Sequence, residues 1–278
     1  MKPMTDPSPS FHTVEVSDPG LSPPGLRFVT VKSTALGQRV DVLLYVPPQA
    51  AAQCDVPVVL LLHGVYGSHW AWAFKGAAHL TAQRLIDENA IPPMVLAMPS
   101  DGLWGDGSGY VAHGGKNFER WIVEEVPAAA RAACEACTEA SPLFIAGLSM
   151  GGFGALRLAG RYPQRFMAAA GHSSVTEAVQ LDALLAESRD GWPGSPADTT
   201  VLDALRTASP PLPALRFDCG RDDSLIDANR KLQAELLQAG IAHEYAEHAG
   251  GHDWAYWARH LEDTLRFFGK ALQQRGTL

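Results

Sequence analysis

Ser149 sits between glycines in Gly147-Leu148-Ser149-Met150-Gly151, a G-x-S-x-G pattern that joins an apolar run, Leu143-Phe144-Ile145-Ala146, to a helix-like stretch from Met150. This context suits a nucleophile. A strand that turns abruptly into a helix holds the serine in a strained conformation, and a Cβ at 147 or 151 would collide across the bend. The hydroxyl is thereby presented outward, and the helix start with its Met150 N–H favours negative charge developing nearby.

A serine hydroxyl is a weak nucleophile near neutral pH, so it needs a base within hydrogen-bond reach and a third group to orient that base. With a strand–serine–helix bend the chain order is serine, acid, histidine. Of ten histidines, His243, His248, His252 and His260 follow the acid candidates. His248 falls inside a short strand pattern, His260 inside a helix, and His243 ahead of the strand at the end away from the serine. His252 follows Ala249-Gly250-Gly251, in a loop able to swing an imidazole over the sheet edge, and is the expected base. The acid belongs just past an apolar strand, where Asp222 and Asp223 stand; one would orient His252 while the other caps the next helix. Asp223 is preferred, and the chain alone leaves Asp222 as the alternative. Asp253 adjoins the imidazole in sequence and is poorly placed to fold back onto it.

An oxyanion hole needs two N–H groups aimed at one point. Met150 supplies one, and the loop His63-Gly64-Val65-Tyr66 should supply the other from Val65, with Tyr66 as the alternative. His63 and His172 read as structural. Trp104 and Tyr110, in the glycine-rich stretch 100–116, together with Trp70 and Trp192, are the candidates to line an acyl or aryl pocket. That stretch is no phosphate loop, because Tyr110 stands where the first glycine belongs and Asn117 where the hydroxyl belongs.

These residues need a frame that gathers segments more than a hundred positions apart. Continuous apolar runs at 57–62, 94–98, 143–146 and 215–219 read as strands covered on both faces, with shorter runs at 166–170 and 244–248. Helix-like stretches lie at 77–88, 117–136, 150–161 and 225–239, the second expected to be kinked or split by Pro127 and the last closed by Gly240. Alternation of this kind predicts an α/β fold, a mostly parallel central sheet with helices on both faces. Two β-rich runs between Phe28 and Val46 predict an antiparallel pair at its start. Residues 1–25 carry six prolines and read as an extended lead-in, with one domain over 26–278 and a lid-like insertion at 175–213.

Composition narrows the function classes. The 278 residues are 46% hydrophobic and 19% charged, which excludes a disordered chain, and a net charge of −8 argues against a phosphate-binding surface. Four scattered cysteines, Cys54, Cys134, Cys137 and Cys219, form no disulfide framework and lack partners at zinc-motif spacing. No segment has the length of an apolar membrane span, and Met1–Ser10 lacks the apolar core of a signal peptide, so a cytoplasmic protein is expected unless a leader has been removed.

Four stretches taken together resemble a known family: the strand ending in His-Gly at 58–64, GLSMGGFGAL at 147–156, CG-x-x-D at 219–223 and GGHDW-x-x-W at 250–257. They are similar to the α/β-hydrolase esterases related to esterase D, which include S-formylglutathione hydrolases, short-chain acyl esterases, and feruloyl and acetylxylan esterases. The similarity runs over residues 28–270. It implies the α/β-hydrolase fold and a triad of Ser149, Asp223 and His252. One departure matters: the S-formylglutathione hydrolase pattern usually has a histidine before the nucleophile, and here Leu148 stands there, which favours simple esters.

The expectation is a serine carboxylesterase that acts through an acyl-enzyme on short-chain or aryl (acetyl- or feruloyl-type) esters. The alternatives are an acyltransferase using the same triad or an S-formylglutathione-type thioesterase. No metal or organic cofactor is expected. The expected partner is a small-molecule ester, with no nucleic acid and no membrane, and homo-oligomerisation stays open.

Overall fold

The computed structural model describes residues 11–276. The first ten positions of the proposed lead-in lie outside the described residues. Nine strands among those described form one sheet: β1 (Val14–Val16), β2 (Leu26–Lys32), β3 (Arg39–Tyr45), β4 (Val58–Leu62), β5 (Val95–Pro99), β6 (Leu143–Leu148), β7 (Ala168–His172), β8 (Ala214–Gly220) and β9 (Glu244–His248). Their order across the sheet is β1-β2-β3-β5-β4-β6-β7-β8-β9. Pairing is antiparallel from β1 to β5 and parallel from there to β9. The antiparallel start is therefore three strands rather than two, because Val14–Val16 pairs with Val29–Val31 inside the segment read as lead-in.

Every residue of β4 is buried, and its side chains divide by parity. Val58, Leu60 and Leu62 join one core, Val59 and Leu61 the other, as the two-residue strand period requires. The helices supply the covering layers. In chain order they are α1 (Ala71–Phe74), α2 (Ala78–Asp87), α3 (Phe118–Arg120), α4 (Val126–Ala133), α5 (Met150–Arg161), α6 (Pro196–Thr199), α7 (Val201–Arg206), α8 (Ile226–Gln238) and α9 (Trp254–Gly276). Helices α4, α5 and α8 bury apolar faces in the first core, and α2 and α9 in the second. Pro127 neither splits nor ends its helix; a π-helical turn at Trp121–Glu125 comes immediately before it. A widened turn at that point accommodates the ring and the missing N–H of proline.

Register carries the result toward the site. Leu62 pairs with Gly147, Leu148 with His172, His172 with Asp218, and Gly220 with His248. The segments after β4, β6, β8 and β9 therefore all emerge at one carboxyl edge of the sheet, where open α/β sheets bind ligands. The four cysteines are free, and all but Cys54 are buried. No helix among the described residues is long and apolar enough to cross a membrane.

Candidate active site

Ser149 adopts φ +53° and ψ −118°, a left-handed conformation that costs a non-glycine residue roughly 1–3 kcal/mol. The surroundings enforce it. The Ser149 N–H donates to His172 O at 2.9 Å, and its carbonyl accepts from Val175 N–H at 3.1 Å. A Cβ at Gly147 would lie 2.2 Å from Gly151 O, and one at Gly151 would lie 2.3 Å from Leu62 O. Both obstacles are backbone and cannot step aside, so both positions require glycine.

The Ser149 hydroxyl lies 3.0 Å from His252 Nε2, and His252 Nδ1 lies 2.9 and 3.0 Å from the two Asp223 oxygens. In the tautomer that satisfies both contacts, Nδ1–H donates to Asp223 and Nε2 accepts from Ser149. Asp223 follows β8 and also accepts from Leu225 N–H at 2.8 Å. Burial would raise its carboxyl, but the hydrogen bonds from His252 and Leu225 outweigh that and hold it below the ordinary value. The His252 loop approaches β8 closely: a Cβ at Gly220 would meet Gly250 O at 2.2 Å, and Gly250 itself has φ +129°.

The other candidates lie elsewhere. Asp222 is exposed and contributes its N–H to Gly250 O, whereas Asp253 accepts from Tyr256 N–H at the start of α9. His243 stacks on Phe217, and His248 stacks on His260.

Gly64 brings the loop after β4 against the bend, since a Cβ there would lie 2.8 Å from Leu148 Cδ1 and 3.2 Å from Ser149 Cβ. Of the two candidate donors in this loop, Tyr66 N–H is committed to Asp106 O at 2.8 Å. His63 braces this loop, its Nδ1–H donating to Gly64 O and its Nε2 accepting from Asp101 N–H. Met150 opens α5, so its N–H has no partner within the helix.

Among the aromatic candidates, Tyr110 is corrected: it is 0% exposed, donates its hydroxyl to His63 O and takes Arg157 on its own carbonyl. It is a core residue beneath the loop rather than a pocket wall. Trp104 and Trp192 are half-buried and flank His113, Trp192 stacked at 4.7 Å and Trp104 edge-on at 4.5 Å. Trp70 is 40% exposed, with the Lys75 ammonium 6.0 Å from its ring.

Two features escaped the sequence reading. Asp106 clasps the segment after the 3-10 turn at Ala178–Ala183: its N–H donates to Glu187, its carboxylate accepts from Ala186 N–H, and the neighbouring Tyr66 hydroxyl donates to Leu184 O. The other is a second hydroxyl–imidazole–carboxylate array. Thr264 Oγ1 lies 3.1 Å from His172 Nε2, and His172 Nδ1 lies 3.1 Å from Asp218, which also accepts from the Tyr256 hydroxyl at 2.9 Å. An acid within the apolar run of β8 was the available signal.

A serine on a strand–helix bend at the carboxyl edge of such a sheet, with a histidine arriving from the last strand–helix loop, defines the α/β-hydrolase class. The chain belongs to the esterase family described as "Putative esterase", whose model matches residues 33–268. An acetyl esterase of Caldicellulosiruptor saccharolyticus is 26% identical over 78% of this chain and 84% of its own length. An esterase of Mycobacterium tuberculosis is 26% identical over 86% of this chain, which spans 58% of that protein. A solved ferulic acid esterase shares the fold, with a TM-score of 0.70 and 23% identity over 94% of this chain and 99% of its own.

Proposed function

We propose that the chain hydrolyses carboxylic esters through an acyl-enzyme on Ser149. His252 Nε2 takes the serine proton as Oγ attacks the ester carbon, and Asp223 holds Nδ1–H and stabilises the imidazolium. The Val65 and Met150 amides receive the carbonyl oxygen as it becomes an oxyanion. The C–O bond to the alcohol then breaks, the alcohol leaves with the proton from His252, and water repeats the sequence to release the acid. The observation that carries this reading is the unbroken contact from Ser149 through His252 to Asp223 around a serine held in a strained backbone conformation.

The substrates proposed are short-chain or aryl esters, as the names of the acetyl esterase and ferulic acid esterase suggest. The segment 175–213 acts as the lid, clasped at Asp106, and Trp104 and Trp192 form one wall of the acyl side. Support for that wall comes from the same loop: a Cβ at Gly107 would lie 2.5 Å from Met150 Sδ, and one at Gly109 would meet the Trp192 ring at 2.5 Å. The test is pre-steady-state hydrolysis of p-nitrophenyl acetate, with a burst expected in the wild type. Ser149→Ala should show no burst and a rate lower by ~10³ or more. Near-wild-type turnover in that variant rejects the assignment. A panel of acetyl, butyryl, octanoyl and feruloyl esters with one thioester then ranks the acyl classes.

A further inference from the structure

Two of the free cysteines meet at a place outside the esterase machinery. Cys134 and Cys137 occupy the first and fourth positions of a turn that follows α4, closed by Cys137 N–H donating to Cys134 O at 3.0 Å. A turn of this kind brings its end Cα atoms within about 7 Å, and a disulfide spans about 4.4–6.8 Å. A bond between the two needs little backbone movement. The thiols are already in contact, with Cys137 S–H donating to the Cys134 sulfur.

The turn is held from three sides. Ala133 O takes the Arg27 guanidinium from β2, Ala136 O accepts from Val56 N–H at 3.0 Å ahead of β4, and Thr138 N–H donates to Ser141 Oγ at 3.0 Å. Such anchoring keeps the two sulfurs at a high effective concentration. Their chemistry differs. The hydrogen bond from Cys137 holds the Cys134 thiol below its ordinary value against the effect of burial, and the Arg27 guanidinium adds to it, whereas Cys137, the donor, is raised. The pair lies past the C-terminal end of α4, where the helix dipole opposes a thiolate, so Cys137 and Arg27 supply the stabilisation that a helix N-terminus supplies to other reactive cysteines. Each of the two residues is 4% exposed, covered but not sealed. Cys219, by contrast, is 0% exposed, and burial pushes its thiol up to about 12.

We infer that Cys134 and Cys137 form a redox-modification site, oxidised by hydrogen peroxide to an intramolecular disulfide with Cys134 as the attacking thiol and Cys137 as the resolving one. The Cys134 thiolate attacks one peroxide oxygen, the O–O bond breaks, and hydroxide leaves and takes up a proton to become water; Cys134 is left as a sulfenic acid. The Cys137 sulfur then attacks the Cys134 sulfur, the S–O bond breaks, and a second water departs with the Cys137 proton. Two thiols have lost two electrons, and one peroxide has been reduced to two waters. The segment that the bond stiffens leads into β4 at the amino edge of the sheet, opposite Ser149.

The experiment exposes the full chain to hydrogen peroxide, quenches with catalase, unfolds and alkylates with iodoacetamide, and maps the peptides by mass. In the wild type the peptide holding both cysteines should lose about 2 Da and escape alkylation, and dithiothreitol should restore both sites. Cys137→Ser should form no bond and carry a dimedone adduct on Cys134. Cys134→Ser should also form no bond, with at least about tenfold less adduct at Cys137. The wild-type peptide decides the matter if either variant fails to fold. The site is overturned if both thiols are alkylated in full at a peroxide dose that oxidises the exposed Cys54, if the bond joins either thiol to Cys54 or Cys219, or if it forms only after unfolding in urea. Equal labelling of the remaining thiol in the two variants overturns the assigned order of attack.

Discussion

Two hydroxyl–imidazole–carboxylate arrays stand in this molecule with nearly equal spacings. Ser149, His252 and Asp223 are linked at 3.0 and 2.9 Å, and Thr264, His172 and Asp218 at 3.1 and 3.1 Å. What separates them is their setting. The serine is at a left-handed bend with amides around it, and its imidazole reaches solvent, whereas the threonine lies mid-helix in α9 and its array is sealed, with His172, Asp218 and Thr264 all at 0% exposure. Donor–acceptor geometry alone therefore does not single out the serine proposed as nucleophile; backbone strain, solvent access and nearby amides do. The inner array instead ties β7 and β8 to α9, and the His172 carbonyl that holds the Ser149 amide belongs to it.

Substitutions at matching positions sharpen that contrast. The largest expected effect is Asp223→Asn, which should lower kcat by ~10³–10⁴ with the fold intact, as loss of an orienting carboxylate does in serine hydrolases generally. Thr264→Val should leave kcat within about threefold while lowering Tm, since it removes one buried hydrogen bond worth about 1 kcal/mol. Equal losses of activity in the two variants would erase the distinction between the arrays. Next is Asp218→Asn, which leaves Arg216 and His172 without their shared anion and should cost about 3 kcal/mol in denaturant unfolding.

Acid unfolding provides a further contrast between the wild type and Asp218→Asn. For Asp218, burial raises the carboxyl, but His172, Arg216 and Tyr256 outweigh it, so its folded value lies below the usual 3.8. Its stabilisation is then complete above about pH 4 and is lost as pH falls through the lower folded value, where the unfolded chain binds the extra proton. The wild-type stability should decline with acid in that window, and Asp218→Asn should decline less steeply, as read by urea midpoints at pH 2–5. The smallest effect is expected of Tyr66→Phe, which releases the Leu184 clasp but keeps the amide bond to Asp106 and should change KM about two- to fivefold with kcat nearly constant.

How much of this was legible in the chain depended on whether a requirement was local. Gly147, Ser149 and Gly151 announce a bend because sterics act between near neighbours, and the strand runs before 149, 223 and 252 fix which edge those residues share. Tyr110 was misjudged because an aromatic side chain in a glycine-rich loop gives no sign of which way it turns; only Arg157 and His63, far apart in sequence, draw it inward. The inner array was invisible for the same reason, since His172 and Asp218 meet through strand register. Val14–Val16 is short and surrounded by turn residues, so its pairing with β2 had no periodic signal.

Of the three outer groups, the imidazole alone opens to solvent, its side chain 31% exposed against 0% for Asp223, while Ser149 as a residue is 2% exposed. On the proposed chemistry the proton that His252 takes from Ser149 and returns to the alcohol therefore sits on the solvent-facing member of the three. The departing alcohol and the incoming water would both meet that ring, one after the other, so deacylation would wait until the alcohol has cleared it.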